Sequence, residues 1–138
     1  MDRPRVPAFP YRLWRYTDDR TDIAEQLAVA AQEAARLARG MDRARHTDPT
    51  PCPEYDVRAL SAHLMQEIVL HGWDLAAATG QTPRFPDEVA ATVLRWLDND
   101  EDPKRGDDWY QDPVPTASTS LLDRAVAQSG RDPAWHAS

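Results

Sequence analysis

Proline is the residue that most limits how this 138-residue chain folds, because twelve prolines divide it into short stretches. Proline has no backbone N–H and clashes with the preceding helical turn. Pro4, Pro7 and Pro10 therefore exclude a helix near the start, and an irregular arm is expected over residues 1–20. The prolines at 49–53 force an extended connector. The chain is expected to consist of separate short elements.

Four stretches between these breaks carry apolar residues at three- and four-residue spacing, which is typical of amphipathic helices. Asp22 or Thr21 fits the start of the first, Asp56 the start of the second, and Gly80 its end. No stretch alternates as a half-buried strand would. The predicted fold class is all-α, with one helical domain over residues 21–138 and helices over residues 22–39, 57–79, 86–98 and 119–129.

Composition excludes several classes of protein. The net charge is -7, whereas a nucleic-acid binder needs a basic face. No run of 18 apolar residues is present, and the first residues lack a signal-peptide core, so neither a membrane span nor secretion is expected. A single cysteine allows no internal disulfide, so the expected compartment is the cytoplasm. The acidic segment 98–112 is predicted to be a solvated loop.

The apolar content is low for a self-contained domain. Hydrophobic residues make up 41% of the chain, and the mean hydropathy is -0.68. Small domains bury a small fraction of their surface, so some apolar surface here is expected to be completed by another chain. The stripe predicted to face other helices lies on 57–79 and consists of Val57, Leu60, Leu64, Ile68, His71 and Leu75.

His63, Glu67 and His71 are candidate metal ligands at four-residue spacing. Neighbours in this set lie on one helix face, about 6 Å apart along the axis, so each adjacent pair could share a divalent ion. His63 and His71 are about 12 Å apart, so one straight helix cannot bring all three to one ion. A buried ion pair with an arginine would equally explain Glu67. Asp74 could accept the free ring N–H of His71, or pair with an arginine.

Four segments of the chain resemble the DinB/YfiT-like superfamily, in particular its actinobacterial branch that includes mycothiol-dependent maleylpyruvate isomerase. The segments are PTPCPEYDVRALSAHL (49–64), EIVLHGWDLAAATGQ (67–81), FPDEVAATVLRWL (85–97) and DPVPTASTSLLDRAVAQSGRDPAW (112–135). The resemblance implies a four-helix bundle that binds a divalent metal, commonly zinc. It places the ligands at His63, Glu67 and His71, and it implies a thiol such as mycothiol as cosubstrate of a transferase or isomerase.

The chain departs from the family pattern between the two ligand motifs. In the family a long stretch with a whole helix separates them, whereas here only three residues separate His63 from Glu67. An antiparallel homodimer would restore the site, because a two-fold axis near Glu67 brings His63 of one chain level with His71 of the other. The 22–39 helices of both chains would then complete a four-helix core.

Two other functions remain open at this stage. The chain could be a non-catalytic helical homodimer in which the ligand positions are simply buried polar residues. It could also be a metal-free tailoring enzyme or small-molecule-binding protein of a secondary-metabolite pathway, with Glu67, His71 and His63 as acid/base groups.

Overall fold

The part of the chain that the structure describes is all-α, as predicted. The structure, a computed structural model, describes residues 22–98 and 110–138, so the expected arm over 1–20 and most of the acidic segment 98–112 lie outside the described residues. The helices are α1 (Ile23–Arg39), α2 (Val57–Thr79), α3 (Asp87–Leu97) and α4 (Leu121–Gln128), with one short 3-10 turn at Arg43–Arg45. The bounds lie within two residues of the predicted ones.

Contacts divide the chain into two units between Met41 and Asp42, so α1 and the remainder are described separately. The prediction of one domain over 21–138 stays a prediction. Within α1 no residue is buried, and its apolar side chains Ile23, Leu27, Val29 and Leu37 are all exposed.

Side-chain caps fix where the helices begin. Asp22 accepts hydrogen bonds from Ala24 N and Glu25 N, and Asp56 accepts one from Ala59 N at 2.8 Å. Ser120 caps α4 in the same way. These oxygens satisfy N–H groups that have no partner within the first helical turn.

The proline-rich connector folds back onto the start of α2. Thr50 Oγ1 donates to the carbonyl of Tyr55 at 2.7 Å, and a single antiparallel bridge joins Pro49 to Asp56. The N–H groups of Val57 and Arg58 then donate to backbone carbonyls of the connector. The connector thus supplies acceptors for the open N-terminus of α2.

The core of the second unit lies between α2, α3 and α4, and α3 packs on both of the others. Its buried centre is formed by Val69, Val93, Leu94, Leu97 and Ala125. Gln66 is the buried polar side chain of α2, and its amide oxygen accepts a hydrogen bond from Tyr110 at 3.1 Å. None of the helices within 22–98 and 110–138 is long and apolar enough to cross a membrane.

Helix α2 is apolar on two opposite faces, which differs from the expected single inward stripe. The face in the core carries Ala62, Val69, Leu70, Trp73 and Ala76. The stripe that the sequence predicts to face other helices points away from it, and we call its members Leu64, Ile68, His71 and Leu75 the outer stripe of α2. Its three apolar side chains are each more than half exposed. Within the unit formed by α2, α3 and α4, this face is therefore uncovered.

Candidate functional site

Glu67 and His71 lie together on the exposed side of α2, one turn apart. His71 Nε2 is 3.2 Å from Glu67 Oε2. The side chain of His71 is 65% exposed and that of Glu67 is 37% exposed. Glu67 therefore does not have the buried environment that the apolar stripe suggested, and the pair is open to a ligand or to another chain.

Asp74 fixes the other ring nitrogen of His71. His71 Nδ1 lies 2.9 Å from Asp74 Oδ2. A carboxylate can only accept from a ring nitrogen, so Asp74 favours a proton on Nδ1 and Glu67 favours one on Nε2. In the tautomer with the proton on Nδ1, Nε2 presents its lone pair towards Glu67. This is the arrangement that orients metal-binding histidines in proteins.

Arg131 in turn holds Asp74 with two hydrogen bonds. Its Nε donates to Asp74 Oδ1 at 2.7 Å and its Nη2 donates to Oδ2 at 2.9 Å. A bidentate arginine–carboxylate pair is short and fixes geometry as well as charge. The two roles that the sequence leaves open for Asp74, histidine partner and arginine partner, are therefore both present in one side chain.

The turn after α4 brings Arg131 to this position. Gly130 has a φ of 87°, and the N–H of Arg131 donates to the carbonyl of Val126 as the chain reverses. Glycine adopts this left-handed conformation without the steric cost that a Cβ would bring. Arg131 Nη1 also donates to the buried Ser129 Oγ at 3.0 Å, which steadies the guanidinium.

The charge of Arg131 sets the protonation of Asp74. Partial burial would by itself raise the pKa of this carboxyl. The hydrogen bonds and positive charge of Arg131, followed by those of His71, outweigh burial and lower the pKa below its usual value. Asp74 is thus held as the carboxylate that His71 Nδ1–H needs.

His63 lies one turn before Glu67 on α2. Its ring stacks on Tyr55 with centroids 5.1 Å apart and an interplanar angle of 16°. Among residues 22–98 and 110–138 of one chain, no three His, Cys, Asp or Glu side chains are grouped so as to hold a metal ion. The structure therefore brings Glu67 and Asp74 to His71, whereas His63 lies one turn before Glu67 and two turns before His71.

A cavity of about 280 Å³ adjoins the pair formed by Asp74 and Arg131, and Trp73, Asp132 and Trp135 complete its lining. Sequence reasoning gives Arg131 no role, since the residue lies 57 positions from Asp74 and no local pattern joins the two. Only the packing of α4 and the turn at Gly130 reveal it.

Comparison with family models, with curated proteins and with solved structures finds no match to this chain. The assignment of a function therefore depends on the geometry described above and on the motif resemblance.

Proposed function

We propose that this chain is a DinB-like protein that binds a divalent metal, with zinc the expected ion, and that an antiparallel homodimer completes each site. Glu67 and His71 come from one chain and His63 from the other. The observation that carries the proposal is the approach of Glu67 Oε2 to His71 Nε2. The resemblance of residues 49–64 and 67–81 to the family motifs supports the same three ligands.

The distance between the two atoms fits a shared ion. Two ligand atoms about 2.0–2.2 Å from one zinc at a tetrahedral angle lie roughly 3.3 Å apart. The observed separation is 3.2 Å. A lone pair on Nε2 and a carboxylate repel each other unless a cation lies between them, and that cation is either a second ring proton or a metal ion.

The outer stripe of α2 supports the second chain. Leu64, Ile68 and Leu75 lie around the same face as His71, and each is more than half exposed. A helix that is apolar on opposite faces belongs between two packing partners. The partner we propose is a second copy, because an antiparallel pairing about Glu67 buries this stripe and supplies His63 at the level of His71 in one step.

The residues of the chain have distinct roles in this proposal. The metal is bound by Glu67, His71 and His63 of the partner subunit. Asp74 orients the ring of His71, and Arg131 orients Asp74. A bound divalent metal deprotonates a thiol at neutral pH, which makes the thiol a nucleophile. The proposed activity is transfer to, or isomerisation of, a small metabolite in the cytoplasm with a thiol such as mycothiol.

The test is metal content measured together with molecular mass. Protein purified without chelator should carry about one zinc per chain and have the mass of a dimer. His63→Ala and His71→Ala should each lose metal, whereas His46→Ala and His136→Ala should retain it. A monomeric mass with a stoichiometric metal would contradict the shared site.

A mixed dimer distinguishes a shared site from two separate ones. When His63→Ala and His71→Ala chains are unfolded, mixed and refolded, the mixed dimer contains one complete site and one site without either histidine. With random pairing, about half of the dimers should be mixed, and each mixed dimer should bind metal at one of its two sites. No recovery would place all ligands within one chain. A dimer that never binds metal would instead favour the non-catalytic or metal-free functions.

A further inference from the structure

A second cleft, of about 500 Å³, lies between the first turn of α2 and the last turns of α3. Arg58, Thr92, Arg95 and Trp96 line it. None of these residues belongs to the candidate metal site. The cleft volume is in the range of small-molecule sites, which are about 300–1,000 Å³. Its two arginines are notable in a chain with a net charge of -7.

Arg58 is held over an aromatic ring. Its guanidinium carbon lies 5.8 Å from the ring centroid of Trp96. A cation–π contact of this kind orients the side chain but leaves its positive charge in place and its N–H groups available. Arg58 comes from the first turn of α2 and Trp96 from α3, so the fold of the second unit brings them together.

Arg95 is held by a neutral hydroxyl. Its Nη2 donates to Thr92 Oγ1 at 3.1 Å, and that hydroxyl donates in turn to the carbonyl of Glu88 at 2.9 Å. By contrast, Arg36, Arg45 and Arg131 each pair with a carboxylate. Among the residues that the structure describes, neither Arg58 nor Arg95 forms an ion pair. The cleft therefore holds two oriented and uncompensated guanidinium groups.

We infer that this cleft binds a small phosphate monoester that carries an apolar or aromatic body. Two guanidinium forks match a compact dianion in charge and in hydrogen-bond geometry. The volume of the cleft leaves room beyond the phosphate, and the indole of Trp96 offers a surface on which the organic part can stack. The inference concerns a different place from the metal site and does not depend on it.

The test is calorimetric titration of the 138-residue chain with phenyl phosphate at low salt, with chelator present so that metal plays no part. We expect phenyl phosphate to bind more tightly than inorganic phosphate, and benzoate, a monoanion, more weakly than phenyl phosphate. Arg58→Gln and Arg95→Gln should each weaken phenyl phosphate binding about tenfold or more. Trp96→Leu should weaken phenyl phosphate binding by a larger factor than inorganic phosphate binding, because it removes the stacking surface as well as the support of Arg58.

Arg84→Gln is the matched control, because it removes the same charge from an exposed residue outside the cleft. Arg84 precedes α3, whereas Arg95 is near its end, about 12 Å along the helix axis from the first residue, Asp87. The control should bind phenyl phosphate as the unmodified chain does. Failure to bind at about 10 mM phenyl phosphate would overturn the inference. So would equal losses in Arg84→Gln and Arg58→Gln, since only general charge would then matter.

Discussion

Two glycines adopt left-handed backbone conformations but differ in their surroundings. Gly80, which ends α2, has a φ of 67° and open space where a Cβ would lie. Gly130 has a φ of 87°, and a Cβ there would lie 2.5 Å from Gln111 Cβ and 2.8 Å from the Gln111 backbone. The first position requires glycine for its backbone alone, and the second requires it for close packing as well.

Gly130→Ala should therefore cost more stability than Gly80→Ala. The left-handed conformation costs an alanine about 1–2 kcal/mol, which is the whole expected effect at Gly80. At Gly130 the clash with Gln111 adds to it, and we expect a total of roughly 2–4 kcal/mol. Urea unfolding followed by circular dichroism measures both variants. Equal losses would show that the chain relaxes around Gln111.

Asp74 is the residue whose replacement should affect the proposed metal site without removing a ligand. Asp74→Asn keeps the shape but weakens the hold on His71 Nδ1–H, and losses of such partners lower metal affinity about 10–100-fold. Zinc titration with a competing chelator measures this. Asp132→Asn, which changes a neighbour of Arg131 that does not contact His71, should leave the affinity unchanged. An unaltered zinc affinity in Asp74→Asn would show that Asp74 does not orient His71 for metal binding.

At the scale of elements, the two faces of α2 should respond differently to substitution. Ile68→Glu on the outer stripe should convert the proposed dimer to a monomer while the helical content remains, because Ile68 is exposed in the single chain. Leu70→Ala on the core face, where Leu70 is 2% exposed, should lower the free energy of unfolding by about 2–5 kcal/mol. Light scattering and urea unfolding distinguish the two effects. A dimer that survives Ile68→Glu would place the interface elsewhere.

Local chemistry in the sequence was sufficient for much of the helical structure. The caps at Asp22 and Asp56 and the stop at Gly80 act within one turn, so their signals lie within a few residues. Local sequence signals do not indicate which of the two apolar faces of α2 packs in the core. Both Leu70 and Ile68 belong to apolar rows, and periodicity alone does not say which row meets α3.

The parts of the candidate sites that lie on one helix could be predicted from the sequence, whereas the parts that depend on tertiary contacts could not. Glu67, His71 and Asp74 lie at spacings of four and three residues on one helix, so their proximity follows from helix geometry. Arg131 reaches Asp74 only through the tertiary fold. The cleft that joins Arg58 to Trp96 likewise combines two helices, and no feature of either segment indicates the other.

At the scale of the whole molecule, all the buried residues described belong to the unit that begins at Asp42. A fragment of residues 42–138 should therefore fold by itself and unfold cooperatively, because the buried residues of α2, α3 and α4 all lie within it. Its free energy of unfolding should lie within about 1 kcal/mol of the full chain. Thermal and urea unfolding of both forms test this, and a molten fragment would show that residues 1–41 stabilise the core.

The turn at Gly130 also has a consequence for local opening. Beyond it, most of residues 131–138 are exposed, and the two bonds from Arg131 to Asp74 tie this tail to α2. Exposed segments with few buried contacts open at far lower free energy than the core. Each such opening would leave the ring of His71 without its anchored carboxylate while every helix stays folded. Hydrogen exchange should therefore show that residues 131–138 open well before global unfolding, and that this local opening limits how long the ring of His71 stays oriented.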